Sequence, residues 1–131
     1  MEKKEIEKKY VELNLIDQQL KIIQKQLIFI ENQILELEGV IQNLDEIKSL
    51  GSKKEGLVAL TNGIFVKSNI EQTEPLIVNV GANVLVEKSI DETKIFIREQ
   101  LSKLRAAQQT LTNEFNALAL RADELEAELT K

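Results

Sequence analysis

The chain of 131 residues has no cysteine, no histidine and no tryptophan, and only one proline. Without cysteine there is no disulfide framework, no thiolate nucleophile and no zinc–thiolate site, a composition that fits a reducing compartment. Nor is there a glycine-rich phosphate loop of the Walker or dinucleotide type. Asn62-Gly63 and Gly81 read as turn residues rather than as phosphate cradles. A metal held without histidine or cysteine needs clustered acidic ligands on a loop, and none is visible. Glu124, Glu126 and Glu128 read as a solvated helix face, or else as a surface for a basic partner. These absences argue against an enzyme and against any cofactor.

No apolar run approaches the roughly 20 residues that span a bilayer, so no membrane partner is expected. The formal net charge is −5, and no basic stripe offers a footprint for nucleic acid. The opening MEKKEIEKKY is charged from its second residue, unlike a secretory signal. A soluble, cytoplasmic protein is the expectation.

What is present falls into three parts of a single domain over 1–131. Residues 2–50 read as one long helix. Apolar residues recur at Ile6, Leu13, Leu20, Leu27, Ile34 and Ile41 (position a), and at Ile16, Ile23, Ile30, Leu37 and Leu44 (position d, Lys9 excepted). This is a coiled-coil heptad. Such a helix is about 70 Å long. Lys48 and Gly51 suit its C-terminus. Gly39, inside it, costs about 1 kcal/mol relative to alanine and marks either a bend or a close contact. Tyr10, Val11, Leu15, Ile22, Ile28, Phe29 and Leu35 lie off the seam. Seven such residues on one helix point to a second contact surface.

Residues 90–131 read as a second helix. Ser89 and Glu92 form a capping box, and Asp91 and Glu92 suit the positive end of the helix dipole. Position d is Ile97, Leu104, Leu111, Leu118 and Leu125. Position a is Lys94, Leu101, Gln108, Phe115, Ala122 and Leu129. Gln108 either fixes the register or is tolerated there. Phe96 and Leu120 add off-seam apolar surface. An antiparallel pairing in which partner numbers sum to 138 matches Ile16 with Ala122, Leu13 with Leu125 and Leu20 with Leu118. A slip of one heptad matches nearly as well. Either register brings the termini together at one end of a rod and the hairpins to the other.

Between the helices, residues 56–89 lose the helical period. Short apolar runs alternate with turn signals at Thr61-Asn62-Gly63, Gln72 to Pro75 and Gly81-Ala82-Asn83, which predicts four strands in two hairpins. Alternation puts Leu57, Ile64, Val66, Ile70, Leu76, Val78, Val80, Val84 and Val86 on one face. The other carries Val58, Leu60, Phe65, Ile77 and Leu85. Sheets that are apolar on both faces need cover on both sides. The fold class is thus mainly α with a small β region: a long antiparallel two-helix coiled coil joined by two β-hairpins. Assembly with hairpins of other subunits into an oligomeric barrel would bury Val58, Leu60, Phe65, Ile77, Val80 and Leu85.

The order helix, two hairpins, helix resembles the alpha class of prefoldin, the archaeal and eukaryotic co-chaperone. The nearest local likeness is the stretch Val78 to Glu92, with its valine-glycine turn, a strand ending near Glu87 and the capped helix start. Leu57 to Val66 looks like the family's first hairpin. The beta class has one hairpin, which favours alpha. The resemblance implies a hexamer of two alpha and four beta chains around a double barrel. Unfolded clients would be held between the arm tips and passed to a group II chaperonin, without nucleotide. For this chain the tip residues are Ile6, Tyr10, Val11, Leu13, Leu15, Leu118, Leu120, Leu125 and Leu129. Leu13, Leu118, Leu125 and Leu129 are equally readable as ordinary seam residues. A filament stacked through the hairpins and a coiled-coil scaffold without clients are the alternatives.

Overall fold

The computed structural model describes residues 2–50 and 54–130. Its elements are α1 (Lys3–Leu50), β1 (Lys54–Thr61), β2 (Ile64–Ile70), β3 (Leu76–Asn79), β4 (Leu85–Lys88) and α2 (Ile90–Leu129). The expected helix, two hairpins, helix order is present, with β1 starting two residues before Gly56. The proposed helix stop at Gly51 and the chain end at Lys131 lie outside the described residues. The chain divides into two compact units: Met1–Leu35 with Ser102–Lys131, and Glu36–Leu101.

In the first unit the two helices close on each other with the heptad seam inside. Ile16, Ala122 and Leu125 are buried together, and Leu13, Leu20 and Leu118 pack against them. Ile23 and Ile34 are also buried. The pairing in which numbers sum to 138 places these six cluster residues opposite one another. Burial of a leucine or isoleucine contributes about 1.5–3 kcal/mol, so a row of them holds two helices that would be marginal alone.

Polar residues on and beside the seam are answered from the facing helix. Lys9 Nζ lies 2.7 Å from Glu128. Gln108 donates to Glu31 at 2.7 Å. Arg121 reaches Glu12 through Nε at 2.9 Å and Nη2 at 3.2 Å. A one-heptad slip would move the partners of Lys9 and Gln108 by about two turns. The Gln108–Glu31 bond is made in this register and would be lost in the slipped one.

In the second unit Leu44, Ile90, Ile97 and Leu101 are buried, again from positions a and d. Lys94, on the seam and only 13% exposed, pairs with Asp45. Lys48, also a seam position, pairs with Asp91 at 3.0 Å. Gly39 sits in α1, and a Cβ added there meets nothing within 4 Å. A close contact within the chain is therefore not its reason. Gly39→Ala is expected to stabilise the protein by about 1 kcal/mol, read from the urea midpoint.

The α2 start is tied down as the capping box requires. Glu92 N donates to Ser89 Oγ at 3.0 Å, and Ser89 N donates to Glu92 Oε1 at 3.2 Å. Two further contacts were not visible in the sequence. Ile90 N donates to Glu74 Oε1 at 2.7 Å, so the link between the two hairpins also caps the helix. Thr93, the one buried polar residue among those described, donates its hydroxyl to Ser89 O at 2.7 Å.

Each hairpin is a separate two-stranded antiparallel sheet. In the second, Val78 stands opposite Val86 and Ile77 opposite Glu87. Its turn closes through Val84 N to Gly81 O at 2.9 Å, with Ala82 and Asn83 at φ 49° and 63°. That is a type I′ turn, whose twist matches the flanking strands. Asn79 Oδ1 accepts from Gly81 N at 2.9 Å and supports it.

Candidate functional site

The hairpins present apolar side chains to solvent on both faces. Alternation alone sets these faces only where the ladder is regular, and the first hairpin is not. A register shift lies between Ala59 and Thr61, so Val58 stands opposite Val66, Leu57 opposite Lys67 and Ala59 opposite Phe65. One extra residue reverses every side chain beyond it. The expected faces are corrected accordingly. Val58 shares a face with Ile64 and Val66, Leu57 shares one with Phe65, and Leu60 sits at the bulge itself. The second hairpin keeps its expected faces, with Leu76, Val78 and Val86 on one and Ile77 and Leu85 on the other.

The correction exchanges two residues and leaves both faces apolar. Leu57, Val58, Leu60, Ile64, Phe65, Val66, Ile77, Val84 and Leu85 are all exposed, with Ile77 highest at 71%. Val80 is exposed too, at the lower value of 37%. Surface leucines scattered singly need no explanation, but contiguous apolar strands on both sides of a ribbon mark a contact surface.

The termini of α1 and α2 make a second apolar region, within the first unit. The structure sorts the nine tip residues into three groups. Tyr10, Val11, Leu15 and Leu120, all off the seam, are exposed. Ile6, Leu13, Leu118 and Leu129 are half-buried. Leu125 is 0% exposed, at the centre of the seam cluster. The expectation that Leu125 offers surface is therefore corrected: position d places it against α1. The seam reading also accounts for Leu13 and Leu118.

Among the described residues, no group of three or more His, Cys, Asp and Glu side chains could hold a metal ion. No described helix is long and apolar enough to cross a membrane. The perturbed carboxylates are structural. The Lys94 hydrogen bond holds Asp45 below the usual carboxylate range. Hydrogen bonds from the backbone and then the side chain of Ser89 do the same for Glu92. A carboxylate whose pKa is lowered on folding stabilises the fold above its unfolded pKa, near 4, and loses that contribution as pH falls through the lowered value. The thermal midpoint is expected to fall on acidification from about pH 5 downward, and Asp45→Asn to make that fall shallower. Circular dichroism melts across this range check it; an unchanged acid dependence in Asp45→Asn would assign the effect elsewhere.

A family model described as prefoldin subunit matches residues 16–131. A "Prefoldin subunit alpha" of Thermofilum pendens is 34% identical over 86 residues, covering 66% of this chain and 67% of the relative. That of Archaeoglobus fulgidus is 22% identical over 96% of this chain and 92% of the relative. That of Methanococcus vannielii is 27% identical over 97% of this chain and 85% of the relative. Among solved structures, a cryo-EM structure of filamentous PFD from Methanocaldococcus jannaschii shares the fold, with a TM-score of 0.79 at 22% identity, covering 89% of this chain and 97% of that one. With two hairpins set between heptad helices, and with a match spanning nearly the whole sequence, the chain belongs to the prefoldin family as an alpha-class subunit of the archaeal type.

Proposed function

We propose that the chain is the alpha subunit of an ATP-independent hexameric co-chaperone, two alpha with four beta chains, acting in the cytoplasm. The hairpins of the six subunits join into a double barrel. Unfolded polypeptide is held between the ends of the coiled-coil arms and delivered to a group II chaperonin. The observation that carries this reading is the exposure of apolar side chains on both faces of both hairpins. Burying Val58, Leu60, Phe65, Ile77, Val80 and Leu85 is worth on the order of 10 kcal/mol at about 1.5–2 kcal/mol each. That is comparable to the roughly 4–15 kcal/mol cost of association, so assembly requires most of this surface to be covered.

The client contact falls to the exposed off-seam residues near the termini: Tyr10, Val11, Leu15 and Leu120. Single apolar side chains with no fixed partner give weak, adaptable contacts, which suits clients of no fixed sequence. The variant Tyr10→Ser, Val11→Ser, Leu15→Ser and Leu120→Ser, made together, tests this. Native mass and helix content are expected to stay unchanged, while suppression of aggregation of a heat-denatured client drops severalfold. Undiminished suppression would place the client elsewhere.

A filament built from this chain alone is the second reading. It is supported by the shared fold with a filamentous PFD. It needs no beta chain, and the mass of the isolated chain separates the two.

A further inference from the structure

The second hairpin, from β3 to β4, carries Ile77, Val80 and Leu85, half of the residues given to the barrel. Its strands are four residues each and pair with no other described strand. A lone two-stranded hairpin is only marginally stable in water. The contacts that hold this one in place lie at its open end.

The ladder of β3 and β4 ends at the pair Leu76 and Lys88. Carried two residues further, that register sets Glu74 opposite Ile90, the first residue of α2. There a side chain takes over from the ladder: Glu74 Oε1 accepts from Ile90 N at 2.7 Å. The capping box does not reach that amide, because it answers Glu92 N and Ser89 N. The bond is charge-assisted and lies at the positive end of the helix dipole, so it is stronger than a bond between neutral groups. On the other strand, the Lys88 ammonium lies 5.7 Å from the centre of the Phe96 ring, in the second turn of α2. Both strand ends are thus fastened to the same end of one helix, which gives Phe96 a role off the seam.

We propose that Glu74 is a positioning residue for assembly: it holds the second hairpin on α2 with its apolar faces presented to neighbouring subunits. The inference rests on the proposed hairpin assembly. Without the bond to Ile90 the hairpin keeps its ladder and its turn but loosens about the junction at Ser89. A partner then binds only the docked arrangement, and the apparent affinity falls in proportion to the docked fraction. Loss of one helix cap shifts such an equilibrium about tenfold.

Three variants of the full chain test this, each compared with the unmodified chain in a light-scattering dilution series with beta-class partners present. Glu74→Ala should move the assembly midpoint to about tenfold higher concentration. Glu74→Gln keeps an acceptor oxygen at the same reach and should stay within about threefold of the unmodified chain. Glu92→Ala removes a bond of the same cap, but one that closes no loop around the hairpin. It should lower the thermal midpoint and leave assembly within about threefold. In the isolated chain, Glu74→Ala should speed amide exchange at Ile90 and across β3 and β4 by about tenfold or more, while Glu92→Ala leaves the hairpin unchanged. Assembly of Glu74→Ala at the unmodified midpoint overturns the proposal. So does failure of Glu74→Gln alongside Glu74→Ala, or equal weakening by Glu92→Ala, which would make the effect one of helix capping alone. If no chain assembles but hairpin exchange quickens in Glu74→Ala, the hairpin-assembly reading fails and the anchoring stands. Unchanged exchange overturns the anchoring itself.

Discussion

Leu85→Lys should reduce the native mass to that of the unassembled chain while the far-ultraviolet circular dichroism keeps its helical signal. Leu85 is exposed at the start of β4, opposite Asn79 and on the face of Ile77. In the isolated chain a lysine there costs almost nothing, because the position already faces water. In a barrel the same lysine loses the apolar contribution of leucine and buries an ammonium without a partner, which costs several kcal/mol. In the proposed hexamer the two alpha chains would carry two copies of the defect. The expected loss of affinity is at least a hundredfold, measured by light scattering over a dilution series. An unchanged mass would show that this face of the second hairpin is not an interface. Lys67, which faces Leu57 on β2, already places a charge beside an apolar face, and Lys67→Glu serves as the milder companion.

Leu125→Ala is the second large effect, and it should act through stability rather than through clients. Leu125 is fully buried against Ile16 and Ala122. Removing its side chain is expected to cost about 3 kcal/mol, the transfer of the lost methyl groups plus the cavity they leave. Leu120→Ala, five residues away and exposed, should cost under about 0.5 kcal/mol. The functional order should be reversed: at a temperature where both variants are folded, Leu120→Ala weakens suppression of client aggregation and Leu125→Ala does not. Urea unfolding beside an aggregation assay reads both. If Leu125→Ala were as mild as Leu120→Ala, the seam would not run through this residue.

The seam was legible because burial in a two-helix coil depends on one period only. Among the described residues, every buried apolar residue stands at a or d of the heptads read from the sequence except Ile90, one heptad before Ile97. The pairing of the helices was legible as a choice between registers, not as a single answer. Apolar rows repeat every seven residues, so a slip of seven satisfies them almost equally. The polar exceptions break that degeneracy: Lys9 with Glu128, Gln108 with Glu31, and Lys94 with Asp45. Their partners stand on the other helix and become visible only once a register is tried.

The first hairpin shows the opposite case. Counting outward from the turn at Asn62-Gly63 pairs Leu57 with the face of Val66, which is correct for a regular two-residue loop. The bulge at Ala59 to Thr61 adds one residue to one strand, and no glycine or proline within that stretch announces it. The exchange of Leu57 and Val58 follows from that single residue. The cap that Glu74 supplies to Ile90 was hidden for another reason: its two ends are 16 residues apart and meet only through the fold of the second hairpin. At the termini, sequence position grouped Leu125 with Leu120, whereas the heptad letter separates them, and burial follows the letter.

Apolar side chains exposed on both faces of the hairpins point to a surface that other subunits cover. The most direct test is the native mass of this chain by light scattering, alone and mixed with a beta-class prefoldin chain. A species of the mass of two alpha and four beta chains is expected in the mixture and none of that size from the chain alone. No higher assembly in either sample would contradict it.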